Sequence, residues 1–564
     1  MLRAQCSIPW YVADFETTGI DYYKEHGYTK VWLYSVCDSK AKIVSDGSSI
    51  DEFMKWCYNN CGTIIYFHNL KFDGSFILNW LYDNGYQYYD KLLVHSPKGY
   101  TILVGDMGEF YQLKINFAPN KQVTIIDSLK IIPLKVREIA KAFDLPIEKE
   151  HIDYNDYTID EKRLEYVHHD VQIVSMALKF FKDNGFNRMT IGSNSYHEYM
   201  DNVPMSKALF PMLDEEWLET WRNAYRGGRS QVNPIHANKI LHSVNRYDIN
   251  SMYPYTMADC QMPYGKPIKL DKPNQYKFEL YHVKIMFDLK DGHLPTLLKK
   301  SGLFAMGDSY YIETDGVEEM YISNVDLELV YRHYNVIYIE YLEIYGFKTT
   351  DVLFKEFIEH YYTLKSKSKG GMRLLYKLIL NNLYGKFGSK PKGKNKIPNI
   401  DENGLYWTFS EEHSMGRYYL PVAIAVTSWA HKLIDDAIMT TGYDKFVYCD
   451  TDSIHTLGTL PDSMVDAHEL GKFKLEATEE ISKYIRQKCY IYKENGSWSI
   501  CCAGMTDSLK EYLVREYGDD VINVFDIGLT LDENSKDILP SDMKLLPKQV
   551  KGGTLLVPTS FRLN

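Results

Sequence analysis

The stretch Tyr448 to His455 reads YCDTDSIH. The apolar, aromatic run FVYC leads into two carboxylates, Asp450 and Asp452, and SIHTLG follows. The pattern predicts two short strands joined by a tight acidic turn. Residues i and i+2 of an extended segment point to one side, so both carboxylates are expected to face one space. Two like charges that close repel each other unless a cation lies between them. A divalent ion at the hairpin tip is one reading. A solvated, Asp-rich turn is the other.

A chain of 564 residues is too long for one core, and its length suggests about three or four domains. Its 47 tyrosines combine a flat stacking face with a polar tip, which suits binding to bases and sugars. The net charge of −11 excludes a surface that traps polyanions everywhere, so any nucleic-acid site must be a local basic surface. The nine cysteines show no paired zinc spacing and read as reduced thiols. No apolar run is long enough to span a membrane, and no signal peptide is evident. A soluble intracellular protein is expected.

In the first third, Trp10 to Phe15 is a predicted strand that runs into DFETTG, so Asp14 and Glu16 share a face. TIIYFHNLKFDGSFILNWL follows, with a strand from Thr63 to His68 and a helix on which Phe76, Ile77, Trp80 and Leu81 recur. Asp73 lies at the start of that helix. TIDEKRLEYVHHDVQIVSMALKFF is a second helix, with Thr158 and Glu161 as its capping box and Asn184-Gly185 as its stop. Tyr166 and Asp170 are i and i+4 on one face, and a phenol beside a metal-bound carboxylate can orient a water.

DFET, NLKFDG and YVHHD, in that order, resemble the DEDDy exonucleases. That resemblance implies an RNase H-like fold and two-metal phosphodiester hydrolysis. Asp14, Glu16, Asp73 and Asp170 would be metal ligands, and Tyr166 would assist the water. Thr17, Tyr66, His68, Asn69, Phe72, Ser128 and Leu129 fall where relatives grip single-stranded ends. Lys149 falls where relatives place a lysine that aids cleavage.

After a mixed segment from Asn184 to Asn223 comes AYRGGRS. Gly227 and Gly228 let the backbone approach a ligand, and Tyr225, Arg226 and Arg229 can contact bases and phosphates. NRYDINSMYPYTM then places Asp248 near the end of a strand, and Pro254 stops further pairing. DxxSxYP resembles the first motif of the family B DNA polymerases. The resemblance implies that Asp248 binds both catalytic metals, with the Ile249 carbonyl on one of them. Ser251 would contact the triphosphate. Tyr253 would lie under the incoming sugar and exclude a ribose 2′-OH.

From His360 to Ile400 there is no Asp or Glu, but there are nine Lys and Arg373. Within it, MRLLYKLILNNLYGKFG reads as a helix with Arg373, Lys377, Asn381 and Tyr384 on one face. A cationic face suits a nucleoside triphosphate; a membrane-surface helix is the rival. KxxxNxxYG resembles the second family B motif. It implies that Lys377, Lys365 and Arg373 hold the triphosphate, that Tyr384 packs on the nascent base pair, and that Phe387 touches the primer side. Lys488 and Tyr490 form KxY, which holds the primer strand in relatives.

The interval from Tyr253 to Lys377 is longer than many relatives need, and it contains strand-like pieces such as SYYIE and VIYIEYLEIYGF. A second interval opens with KPKGKNK and continues as the hairpin-like ENGLYWTF. Insertions at these two places resemble those of the protein-primed polymerases of small tailed bacteriophages, the phi29 type. The resemblance runs nearly the whole chain, through YFHNLKFDG, AYRGG, YCDTDSIH, RQKCYI and CAGMTD. It implies a multidomain chain of α/β and α+β class. An RNase H-like 3′–5′ exonuclease domain (1–186) would precede a right-hand polymerase domain of palm (187–257 and 421–513), fingers (353–387) and thumb (514–564). One insertion (258–352) would be a palm extension holding a terminal protein. The other (388–420) would serve strand displacement and processivity.

The implied reaction is templated addition of deoxynucleotides to a hydroxyl. Two divalent cations per site, Mg2+ with Mn2+ as substitute, would bridge Asp248 and Asp452, with Asp450 in support. The implied partners are template and primer DNA, deoxynucleoside triphosphates and a terminal protein primer. The expected state is a monomer or a heterodimer with that protein, in the cytoplasm of an infected bacterial host, with no membrane. Four positions depart from the phage pattern: Arg229, where an aromatic is frequent; Met252, in place of Leu; Asn382, in place of Ser; and Cys489, inside KxY. Two rivals stand beside this reading. One is a primer-using family B polymerase without a terminal-protein partner. The other is a nuclease or nucleic-acid-binding protein with a silent polymerase site.

Overall fold

The structure is a computed structural model that describes residues 8–91, 97–145, 156–299, 309–539 and 542–564. Lys149 lies outside the described residues.

The first third is built on an eight-stranded mixed sheet. Its strand Trp10–Thr17 lies between Val31–Asp38, antiparallel, and Ile64–Phe67, parallel. Val31–Asp38 is buried along almost its whole length because helices Ile50–Asn59 and Glu161–Asp183 both pack on it. That explains an apolar run without alternation. Phe15 meets Phe53 and Phe67 edge-on at 4.9 and 5.0 Å, and burying one such ring stabilises by about 1.5–3 kcal/mol. Helix Glu161–Asp183 is pinned to the sheet by Ser175, whose Oγ donates to the Asp38 carbonyl at 2.7 Å. Its N-cap is Asp160, which accepts from the Arg163 N–H, and not the expected Thr158. Asp160 adjoins the first helical residue, as a cap must.

A second sheet has seven strands, in the order Ser497–Cys502, Cys489–Glu494, Phe473–Arg486, Ile240–Ile249, Ser453–Thr456, Phe446–Asp450 and Ser230–Val232. Helix Leu420–Thr441 backs it and buries most of its residues, as expected of a helix that is apolar nearly all round. Helices Lys355–Lys367 and Gly370–Phe387 form a neighbouring pair. The second starts at Gly370, whose φ of +55° suits glycine.

Residues 262–350 carry a separate four-stranded sheet, and Lys396–Asp401 pairs with Gly404–Phe409 as a hairpin. The last part contains helix Asp507–Tyr517 and the hairpin Lys544–Val550/Gly553–Thr559. The tip of this hairpin nests on the first third, where the Thr29 N–H donates to the Lys551 carbonyl at 3.0 Å. A Cβ on Gly552 would lie 2.0 Å from the Thr29 oxygen. The expected divisions at 257/258 and 513/514 fall inside helices Met252–Asp259 and Asp507–Tyr517. No helix among the described residues is long and apolar enough to cross a membrane.

Candidate active sites

The acidic hairpin forms as its sequence predicts, with Phe446–Asp450 antiparallel to Ser453–Thr456. The placement of its carboxylates differs from expectation. Thr451 has a φ of +61°, and the Asp452 N–H donates to the Asp450 carbonyl at 2.8 Å. The chain turns there, so the two carboxylates do not share the face of one strand. Asp450 is held by Lys488, whose Nζ reaches its two oxygens at 2.7 and 2.6 Å. Asp452 instead lies with Asp248. Strand Ile240–Ile249 pairs Asp248 with Ser453, and the Ile249 N–H donates to the Asp452 carbonyl at 2.8 Å. Burial, followed by the Asp452 and Glu476 charges, pushes the Asp248 carboxyl up to about 7. Burial and the charge of Asp450 also raise Asp452, against the pull of Lys488 and Lys377.

A cationic wall faces these carboxylates. Burial, Arg373 and Lys377 together lower Lys365 to about 8, and its Nζ donates to Ser251 Oγ at 2.8 Å. Arg373, Lys377 and Asn381 are exposed on their helix, whereas Leu375, Ile379 and Leu383 are buried. Tyr384 from that helix packs on Tyr253 with ring centroids 4.3 Å apart. Tyr490 stacks on Tyr484 at 5.1 Å, beneath the hairpin.

The loop Tyr225–Arg229 is a brace for the hairpin. The Arg229 carbonyl accepts from the Thr451 N–H at 2.7 Å, and a Cβ on Gly228 would lie 2.6 Å from Thr451 Oγ1. The close approach expected of Gly228 is therefore made to the hairpin itself. The Arg229 guanidinium is 1% exposed and pairs with Asp435 at 2.8 Å. Burial pushes the Asp435 carboxyl up, but the His333 bond and the Arg229 charge outweigh it and hold the group low. His431 bonds the Gly227 carbonyl at 2.6 Å and Asp326 at 2.9 Å. Sequence reasoning missed Asp326, His431 and Asp435. In a chain with 75 acidic residues, nothing local distinguishes them.

Three residues expected to contact DNA are buried in this structure. Arg226 spends its guanidinium on the carbonyls of Leu298 and Tyr321, at 3.1 and 3.2 Å. Phe387 is fully buried, 5.2 Å from Phe210. Tyr66 packs edge-on against Trp10 at 5.9 Å in the core. In each case little of the side chain is exposed. Tyr225 is half-buried against Gly388, while Gly227 has open space beside its Cα.

The second acidic group lies in the first third. Asp14 and Glu16 project from strand Trp10–Thr17, which Thr17 ends at a register shift. Asp73 lies in the first turn of helix Leu70–Asp83 and is 3% exposed. Burial and the neighbouring Asp14 charge push its carboxyl well up, and Glu16 and Asp127 add to the rise. Tyr166 and Asp170 are buried one turn apart on helix Glu161–Asp183, which packs on the Asp14 strand. Nearby, His68 bonds Ser128 Oγ at 3.0 Å and the Leu134 carbonyl at 2.7 Å. Asn69 is exposed, and Phe72 and Leu129 are half-buried. Ser128 is buried and donates to the Phe67 carbonyl at 2.9 Å.

Both groups fit divalent cations on the chemistry of their donors, because hard oxygens crowd together and raise one another's proton affinity. Among the described residues, no three His, Cys, Asp or Glu side chains form a ready-made cage.

Comparison with known proteins agrees with this geometry. Residues 55–157 and 153–468 match the family described as DNA polymerase type B, organellar and viral. The DNA polymerase of Bacillus phage phi29 is 35% identical, over 98% of each chain. That of Streptococcus phage Cp-1 is 32% identical, again over 98% of each. The solved structure of phi29 DNA polymerase complexed with primer-template DNA superposes with a TM-score of 0.88 at 33% identity, covering 99% of this chain and 100% of that one. Two acidic centres, a cationic helix pair and near-full-length kinship place the chain in the family B DNA polymerases of the phi29 type.

Proposed function

We propose that this DNA polymerase copies a linear phage genome from a terminal protein primer, displaces the strand ahead, and proofreads with the carboxylate centre of its first third. The convergence of Asp248 with Asp452 opposite Lys365 carries the synthetic half of the reading. Phi29 DNA polymerase has been solved with primer-template DNA and incoming nucleotides, which supports the same partners for this chain. Asp248, Asp452 and the Ile249 carbonyl would hold divalent ions, Mg2+ by preference, which neutralise charge and acidify a 3′-hydroxyl. Lys365, Arg373 and Lys377 bind the triphosphate oxygens, and Ser251 orients them. Tyr253, packed on Tyr384, takes the sugar and rejects a 2′-OH. Lys488 and Tyr490 hold the primer strand beside Asp450.

For editing, Asp14, Glu16, Asp73 and Asp170 are the candidate ligands, with Tyr166 placed to orient water. Asn69, Phe72 and Leu129 grip the single strand. The four-stranded sheet of residues 262–350, with Tyr331 and Ile337 exposed, is the platform we assign to the terminal protein. The hairpin 396–409 is assigned to strand displacement. Action in the cytoplasm of an infected bacterium follows from this reading.

The test is incubation with purified terminal protein, dATP or another deoxynucleotide, and Mg2+, without a DNA primer. A covalent nucleotide–protein adduct is expected. Extension of a DNA primer without any adduct would favour a primer-using enzyme.

A further inference from the structure

Asp127 lies outside every motif that the two centres absorb, yet it is a buried carboxylate, 1% exposed. It ends strand Lys121–Asp127, where it is paired in parallel with Phe67. Its Oδ1 accepts the Asn69 N–H at 3.0 Å and the Leu129 N–H at 3.0 Å. Burial alone would make such a carboxylate costly, and charge-assisted bonds from backbone N–H groups offset that cost.

The two segments it joins both carry residues assigned above to the single strand. One is His68-Asn69-Leu70, which turns through Asn69 at a φ of +76° and starts the helix that carries Asp73. The other is Ser128-Leu129. The same junction is stitched again by His68 Nδ1 on Ser128 Oγ at 3.0 Å and by Ser128 Oγ on the Phe67 carbonyl at 2.9 Å. Asn adopts the left-handed region more readily than other non-glycine residues, and a bond from its N–H helps to hold it there. Asp127 supplies that fixing bond directly to Asn69.

We infer that Asp127 is a positioning residue for the exonuclease centre, setting the spacing of the two edges that hold single-stranded DNA and the start of the Asp73 helix. The inference rests on the exonuclease reading above. Asp127 touches neither substrate nor ion in this role. Its oxygen is committed to main-chain donors, so it governs binding of the strand through Asn69, Ser128 and Leu129.

The test compares the full-length protein with Asp127→Asn and Ser128→Ala in digestion of a 5′-labelled single-stranded oligonucleotide and in primer extension. Asp127→Asn keeps the shape and an acceptor oxygen but removes the charge that strengthens both bonds. The expected loss in kcat/KM for digestion is about tenfold. Most of it should fall on KM, with primer extension unchanged and no recovery at raised Mg2+ or Mn2+. Ser128→Ala should show a smaller loss in the same direction, about twofold. Unchanged digestion by Asp127→Asn overturns the inference. So does a parallel loss of extension, which would mean a global folding defect. So does recovery at high metal, which would make Asp127 a ligand. If the unaltered protein extends primers but digests nothing, the exonuclease reading itself fails and takes this inference with it.

Discussion

The two acidic centres use the same residue type and are braced in opposite ways. The centre at Asp248 and Asp452 stands on a hairpin whose position depends on distant side chains: Arg229 on Asp435, His431 on Asp326, Lys488 on Asp450. The centre at Asp14 and Asp73 is held mostly by main-chain groups, through a strand inside a covered sheet and a helix start whose N–H donates to the buried Asp127 carboxylate. A centre braced by buried ion pairs is sensitive to single charge changes far away. A centre braced by backbone bonds is sensitive mainly to the junctions of its own elements. Synthesis and editing should therefore fail separately, and for different kinds of mutation.

The sharpest break between the two is Asp452→Asn. It should cost primer extension about a thousandfold, as expected when a metal ligand worth several kcal/mol is lost, and leave digestion intact. Asp14→Ala with Asp73→Ala should do the reverse. Loss of both activities in either protein would unite what this account keeps apart.

Next in size is Arg229→Met. It leaves Asp435 buried with Arg332 and His333 still attached, so the expected destabilisation is about 3 kcal/mol, at the lower end for a broken buried pair. Extension should fall and digestion should not. Equal losses would show that the Arg229 loop braces the whole chain and not the hairpin.

The third prediction concerns pH. Asp248 is raised from its ordinary value to about 7. The folded, metal-free protein then holds a proton that the unfolded chain releases near pH 4. This group's contribution to stability is complete below about pH 4 and is lost as pH rises through about 7. Ion binding must displace that proton below pH 7. Thermal melts should therefore need more Mg2+ to reach half-maximal stabilisation at pH 6 than at pH 8, and extension at limiting Mg2+ should fall over the same range. A pH-independent Mg2+ midpoint would contradict the crowding of Asp248 by Asp452.

The smallest effects belong to the exposed ion pairs that join the regions, Lys135–Asp507 at 3.0 Å and Lys390–Asp106 at 2.9 Å. Changing either lysine to Met should shift stability by less than about 1 kcal/mol and leave both activities unchanged, because exposed pairs are screened. A large effect on one activity would show that the regions communicate through these contacts.

The same contrast explains what could be read in advance. The first-third centre is legible because its candidate ligands fall on short local patterns: a strand end at DFET, a helix start at Asp73, and i, i+4 spacing of Tyr166 and Asp170. The hairpin was legible as a hairpin, and the cationic helix face at Arg373 and Lys377 emerges from spacing alone. The divergence of Asp450 from Asp452 was not legible, because it depends on a single positive φ at Thr451. Nor was the burial of Arg226, Phe387 and Tyr66, since partners such as Tyr321, Phe210 and Trp10 lie more than fifty positions away and leave no local pattern. Arg229 stood out as a departure from relatives, but its partner Asp435 is 206 positions away, and only the fold brings the two together.

The most direct test of the account is an anomalous difference map from crystals soaked in Mn2+. The account predicts density touching the carboxylates of Asp248 and Asp452, with separate density at Asp14 and Asp73, while Asp450 stays on Lys488. An ion held by Asp450 with none at Asp248 would contradict it.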